Sequence, residues 1–266
     1  MKKIILIFFP FLVFAQPNCN AYLYAGDTLQ YKACILAEKA DKYYQFQREF
    51  QEIFDEAIKI SPNFAYAYRE KSTAYLKSGD FLTWKKLIDK AVDLDYVQNL
   101  PYRAWCRYQF FKDYKGAIAD IEKLDSLATY DIGYSINGDY HLNIVKGICY
   151  SVLNQKEKAI KIFIEQLNTK SYDAGLYDYY QLGVTYYQIK DYKNALKSFE
   201  KQSQRNDIAE NAYYKSKIYK ALKNNQKYQE NKELALKLYA ENKKLQIRTR
   251  NILIVFIIVL LLVNKN

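Results

Sequence analysis

Apolar and small residues recur along this chain at helical spacing, and the spacing itself repeats. Tyr75 precedes Gly79, and Phe81, Trp84, Ile88 and Ala91 follow it. An aromatic, a turn and then an apolar stripe at i, i+3, i+7 and i+10 predict two helices joined by a tight connection. Phe50, Phe54, Ala57 and Pro62 hold the corresponding places one step earlier, with Ala57 and Ala91 34 residues apart. Tyr108, Tyr114, Ala117 and Ile121 repeat the pattern, as do Gly147, Tyr150, Ala159 and Phe163; Leu182, Gly183, Tyr186, Tyr192, Ala195 and Phe199 give the clearest copy. A period of this length predicts stacked helix pairs, none of them stable alone. Ala91, Ala117, Ala159 and Ala195 let antiparallel helices approach, while Phe54, Tyr75 and Phe199 fill the space between neighbours. Gly79 suits a left-handed turn, and Pro62 follows a helix end.

Leu-Gly, Tyr, Ala, Phe and Pro at these offsets resemble the tetratricopeptide repeat family. The resemblance covers most of residues 31–240 and divides them into six units at about 31–64, 65–98, 99–131, 140–173, 176–208 and 209–240. It implies an all-α, right-handed solenoid of helical hairpins. The last unit departs from the family pattern with Lys215 and Lys232 at apolar places, as expected of a solvent-facing end cap. The exported start described below, the opening stretch from Gly26 to Cys34 and the Tyr-rich helices resemble, more narrowly, tetratricopeptide proteins of Gram-negative cell envelopes.

In that family the ligand lies in a concave groove lined by the first helix of each pair. Carried onto this chain, the groove positions include Tyr66, Arg69, Thr73, Lys77, Tyr102, Cys106, Phe110, His141, Tyr177, Tyr180 and Tyr187. Such an aromatic set suits an extended peptide or a partner helix, because tyrosine supplies contact area and a hydroxyl at low entropic cost. The family's carboxylate clamp is not reproduced: Ile35 and Lys39, Arg69 and Thr73, and Tyr102 and Cys106 occupy its places. The resemblance therefore implies a non-catalytic scaffold binding a protein or peptide, with a membrane-tethered sensor-type ectodomain signalling through a separate protein as the alternative. Between the third and fourth units the spacing lengthens across Asp125 to Tyr140, which predicts a protruding loop or a longer helix pair offering Tyr130, Tyr134 and Asn137.

Both ends carry apolar runs outside this pattern. Lys2 and Lys3, the run Ile4 to Ala15, and the small Val13 and Ala15 read as a secretory signal over residues 1–15, followed by an N-terminal extension to residue 30. Ile252 to Val263 is an unbroken run of twelve apolar residues, about 18 Å long as a helix against a hydrocarbon core of about 30 Å. It predicts a hydrophobic C-terminal helix, short for a transmembrane span and open to use as a marginal membrane helix, an interfacial segment or an oligomer contact, behind a basic juxtamembrane segment at 241–251 with Lys243, Lys244, Arg248 and Arg250. Together these ends predict an exported, periplasmic body associated with the membrane.

Composition narrows the chemistry. Of 266 residues, 28 are Tyr and one is His, which removes most hydrolase triads and His-built metal sites. The net charge of +11 is concentrated: residues 211–250 hold eleven Lys and Arg against three Glu, and the body before them sums to zero. A nucleic-acid binder spreads basic charge over its contact surface, so no nucleic-acid partner is expected and a membrane surface is favoured. No phosphate loop, CxxC pair or calcium-loop spacing is present; no cofactor, metal or small-molecule substrate is expected, and no enzyme. In an exported chain the cysteines meet an oxidising compartment. Cys19 and Cys34, the nearest pair, are expected to bridge, with Cys106 and Cys149 left open.

Overall fold

The computed structural model describes residues 17–245. The expected signal at 1–15, Arg248, Arg250 and the C-terminal apolar helix lie outside the described residues. The described chain is helical, with a single isolated bridge between Tyr134 and His141 and no strand. It forms two compact units, one ending at Asn99 and one beginning at Leu100.

The first unit holds α1 (Cys19–Tyr24), α2 (Thr28–Ala37), a 3-10 turn (Glu38–Lys42), α3 (Arg48–Ile60), α4 (Ala65–Ser78) and α5 (Phe81–Leu94). Asp27 starts α2 by accepting the amide of Gln30 at 2.9 Å, which supplies one of the orphan donors at a helix start. Gly79, at φ 87°, turns the chain out of α4 in the left-handed region. Asp80 then caps α5 through the amide of Thr83 at 3.1 Å. Phe54, Ala57, Phe64 and Ala67 form the core between α3 and α4, with the Tyr22 ring edge-on to Phe64 at 5.8 Å. A disulfide joins Cys19 to Cys34, Cα atoms 5.5 Å apart, and fastens α1 onto α2.

In the second unit lie most of α6 (Tyr96–Cys106), a π-helical turn (Arg107–Phe111), α7 (Tyr114–Leu127), α8 (Leu142–Val152), α9 (Lys156–Leu167), α10 (Asp178–Gln188), α11 (Tyr192–Arg205), α12 (Ala209–Ala221) and α13 (Asn225–Ala240). One turn device recurs. A residue at positive φ (Lys112 at 54°, Lys190 at 62°, Lys223 at 58°) is followed by Asp113, Asp191 or Asn224, whose side chain caps the next helix. Asn154, at φ 61°, makes the corresponding turn into α9 without a side-chain cap. Within the pairs, glycine lets a ring lie against backbone: a Cβ on Gly147 would meet Phe163 Cε1 at 2.5 Å, and one on Gly183 would meet Phe199 Cε1 at 2.6 Å. Arg103 and Arg107 both reach the buried carboxylate of Asp120, at 2.7 and 2.9 Å, tying the end of α6 and the π-helical turn to α7.

The inserted stretch folds in on itself and does not simply protrude. Ile132, Ser135, Tyr140 and His141 are buried, the Ser135 amide donates to the Tyr140 carbonyl at 2.7 Å, and the Leu142 amide to the Gly133 carbonyl at 2.9 Å. These bonds satisfy the loop backbone internally, which allows it to lie against the protein. Tyr130, Tyr134 and Ile136 remain exposed.

Candidate functional site

In the first unit the expected groove residues come from one helix. Tyr66, Arg69, Thr73 and Lys77 follow spacings of three, four and four, so they share a face of α4. Tyr66 is half-buried, its ring 6.2 Å from Phe54 and 5.7 Å from Phe64, and burial raises its phenol above the ordinary range, keeping it a hydrogen-bond donor. The Arg69 guanidinium lies 5.3 Å from the Tyr66 ring centroid and donates to Glu70 Oε1 at 2.9 Å. Thr73 returns its hydroxyl to the Glu70 carbonyl at 2.7 Å, and Lys77 is exposed. The face offers an anchored ring with Arg69 against it and Lys77 further along the same helix.

The second unit sorts its expected groove residues differently. Phe110 is 49% exposed, its ring edge-on to Trp105 at 5.1 Å. Tyr187 is half-buried beside Tyr192 at 6.1 Å and Tyr214 at 5.1 Å. Four others are not groove contacts. Tyr102 and Tyr177 are buried. Tyr180 packs between Phe199 and Tyr214 at 6.3 and 6.0 Å, and its amide donates to Gln202 Oε1 at 3.0 Å. Helices α11 and α12 thus close over the Tyr180 ring.

His141 is the fourth. It is fully buried and caps α8: Nδ1 accepts the Asn143 amide at 3.1 Å, which leaves the proton on Nε2, donated to Asp131 Oδ1 at 2.6 Å. Tyr134 and Tyr172 pack edge-on to the imidazole at 5.5 and 5.4 Å. For Asp131, burial opposes ionisation, but the hydrogen bonds from His141 and the Gly133 amide outweigh it and lower the carboxyl pKa. Tyr172 in turn donates to Asp178 Oδ2 at 2.5 Å. Burial raises the Asp178 carboxyl against the pull of that bond and of the Gly175 amide. The chain's one histidine thus ties the inserted loop to the connector before α10.

Cys106 and Cys149 are buried free thiols, each pushed up to about 12 by burial, so both stay protonated and unreactive. Lys243 and Lys244 belong to a strap behind α13. The Lys243 carbonyl accepts the Ala209 amide at 2.8 Å, Lys244 lies 4.6 Å from the Tyr239 ring, and the Leu245 amide donates to buried Glu210 Oε2 at 3.0 Å. Among the described residues no helix is long and apolar enough to cross a membrane, and no group of three or more His, Cys, Asp or Glu is placed to hold a metal ion. Sequence positions did not single out Tyr214 on α12, which is half-buried with its ring 5.1 Å from that of Tyr187.

Helix pairs of this period, closed by left-handed turns and packed glycine or alanine against rings, define the tetratricopeptide-repeat class of fold. The solved structures bear this out. The chain is similar to PilW, a type IV pilus biogenesis factor, at TM-score 0.60 and 18% identity over 79% of this chain and 94% of that one. It is similar to Pseudomonas aeruginosa PilF at TM-score 0.55 and 14% identity, covering 84% and 89%. It is also similar to YrrB, a tetratricopeptide protein with an unusual peptide-binding site, at TM-score 0.55 and 20% identity, covering 71% and 93%. At these identities the likeness establishes the fold. No family model matches the chain, and no curated protein matches it.

Proposed function

We propose that the protein is a non-catalytic interaction scaffold of the cell envelope that holds a peptide or protein partner against aromatic faces of its helix pairs. The observation that carries this reading is the α4 face, where the half-buried Tyr66 and the cations Arg69 and Lys77 line up along one helix. An anchored ring with flanking donors suits peptide recognition, since little freedom is lost on binding. Phe110 and Tyr187 extend the reading to the second unit. The envelope context rests on the signal-like residues 1–15 and on likeness to PilW, a type IV pilus biogenesis factor; the apolar residues 252–263, with Arg248 and Arg250 before them, are proposed to associate the chain with the membrane.

The test replaces Tyr66, Arg69, Lys77 and Tyr187 together by alanine. Envelope proteins captured by wild type and variant are then compared by quantitative mass spectrometry, with helicity as the folding control. A partner set that drops out with the variant supports the scaffold. An unchanged set from a folded variant refutes these faces as the site.

A further inference from the structure

Four lysines of the chain's excess positive charge fall together in the second unit, at the turn between α12 and α13. Every residue from Lys220 to Lys227 is exposed. The stretch from Lys217 to Tyr228 contains Lys217, Lys220, Lys223 and Lys227 and no carboxylate. Among the described residues, none of these four ammonium groups forms an ion pair. Two of them are instead laid on rings across the turn: Lys220 lies 5.6 Å from the Tyr228 ring centroid, and Lys227 lies 5.2 Å from that of Tyr219. The reciprocal pairs brace the turn with its cations held outward. At its apex Leu222 is 52% exposed, beside Lys223 in the left-handed conformation.

We infer that this tip is a docking surface for an anionic lipid bilayer. Four unneutralised lysines around a single exposed leucine, with two tyrosines half-buried behind them, match a charged interface over an apolar layer. Ammonium groups meet lipid phosphates, Leu222 enters the headgroup boundary, and tyrosines sit with an apolar body and a polar tip at that depth. The shape distinguishes the occupant. A convex turn meets a flat surface, whereas an acidic peptide needs a groove to bury enough of itself, and a nucleic acid gains nothing from the leucine. None of Lys217, Lys220, Lys223 and Lys227 is among the residues that carry the scaffold reading, which are Tyr66, Arg69, Lys77, Phe110 and Tyr187, so failure of the tip leaves that reading untouched.

Full-length protein is floated with phosphatidylcholine vesicles, with and without phosphatidylglycerol. The wild type is compared with a variant carrying Lys217→Gln, Lys220→Gln, Lys223→Gln and Lys227→Gln, and with a control carrying Lys243→Gln and Lys244→Gln. The gain in binding given by phosphatidylglycerol is expected to fall at least about thirtyfold in the tip variant, while binding to phosphatidylcholine alone and helicity stay unchanged. In the wild type the gain weakens with salt, and Leu222→Ser reduces it while leaving the charge in place. A tip variant that keeps the gain within about twofold, or a gain that tracks Lys243 and Lys244 instead, overturns the proposal. Tighter binding of the wild type to polyglutamate than to anionic vesicles, lost in the tip variant, overturns it in favour of an acidic protein partner.

Discussion

Replacing Gly183 by alanine isolates the close approach that joins α10 to α11. The new methyl group would lie 2.6 Å from Phe199 Cε1, 2.7 Å from Cδ1 and 3.0 Å from Cζ, where carbon atoms prefer about 3.5 to 4.0 Å. Relief requires the ring to retreat by about 1 Å. Phe199 is fully buried, stacked on Tyr214 at 5.8 Å and tilted against Tyr180 at 6.3 Å, so the displacement is passed to both neighbours. Overpacking of this kind costs about 1 to 3 kcal/mol. Alanine also recovers about 1 kcal/mol of helix propensity that glycine forfeits. With three ring atoms inside contact distance the overpacking falls near its upper bound, and the net loss is about 2 kcal/mol.

Urea unfolding followed by helicity measures this loss, and Phe199→Leu supplies the control. Leucine lacks the ring edge that the methyl strikes, so on that background Gly183→Ala is expected to cost less than about 0.5 kcal/mol, a coupling that a double-mutant cycle reads directly. Gly147 against Phe163 repeats the geometry at 2.5 Å and is expected to behave alike. If Gly183→Ala matches or exceeds the wild type in stability, the glycine is not there to admit the ring, and this account of how the pairs pack is wrong.

Three further outcomes follow from local geometry. Lys190, at φ 62°, pays a steric cost that glycine avoids, so Lys190→Gly is expected to stabilise the α10 to α11 turn by about 0.5 to 1 kcal/mol, seen as a higher urea midpoint. Opening the Cys19–Cys34 bridge by replacing both cysteines with serine is expected to cost the first unit about 3 kcal/mol, as for a loop near this length, with hydrogen exchange faster in α1 and α2 than in the second unit. Asp131 has a carboxyl held below its usual value of 3.8, so the folded chain takes up its proton less readily than the unfolded one. The stability from this contact is complete above that value and is lost as pH falls through the lower folded value. Amide protection of residues 133–142 should therefore drop below about pH 4 in the wild type, and Asp131→Asn should flatten that dependence; an equal drop in both would place its source elsewhere.

The period was legible because packing leaves its mark at every turn of a helix: alanine or glycine where backbones approach, a ring opposite, and the same pair again one unit later. The turns carried a second mark in plain view. Asp80-Phe81, Asp113-Tyr114 and Asp191-Tyr192 each put a capping carboxylate before the first aromatic of a helix, and each cap is made. What the repeat pattern does not encode is what each chain lays upon it. A groove position derived from the first helix of a pair assumes that nothing covers that helix. Here the inserted loop brings Tyr140 to α10, where its hydroxyl accepts from Gln181 at 2.8 Å, and Tyr180 is closed in by Phe199 and Tyr214. His141 falls at such a groove position, but the position is also the first residue before α8. A buried imidazole there does more by accepting the Asn143 amide than by facing solvent. The same reasoning separates the lysines. Lys215, near Glu200 at 3.7 Å, is drawn back onto α11, whereas Lys217 and Lys220, two and five residues on, are left facing outward. A charge count over 211–250 cannot tell these apart. Only the pairing of each ammonium group with a carboxylate, a ring or water shows which part of the basic excess belongs to the fold and which remains for a partner.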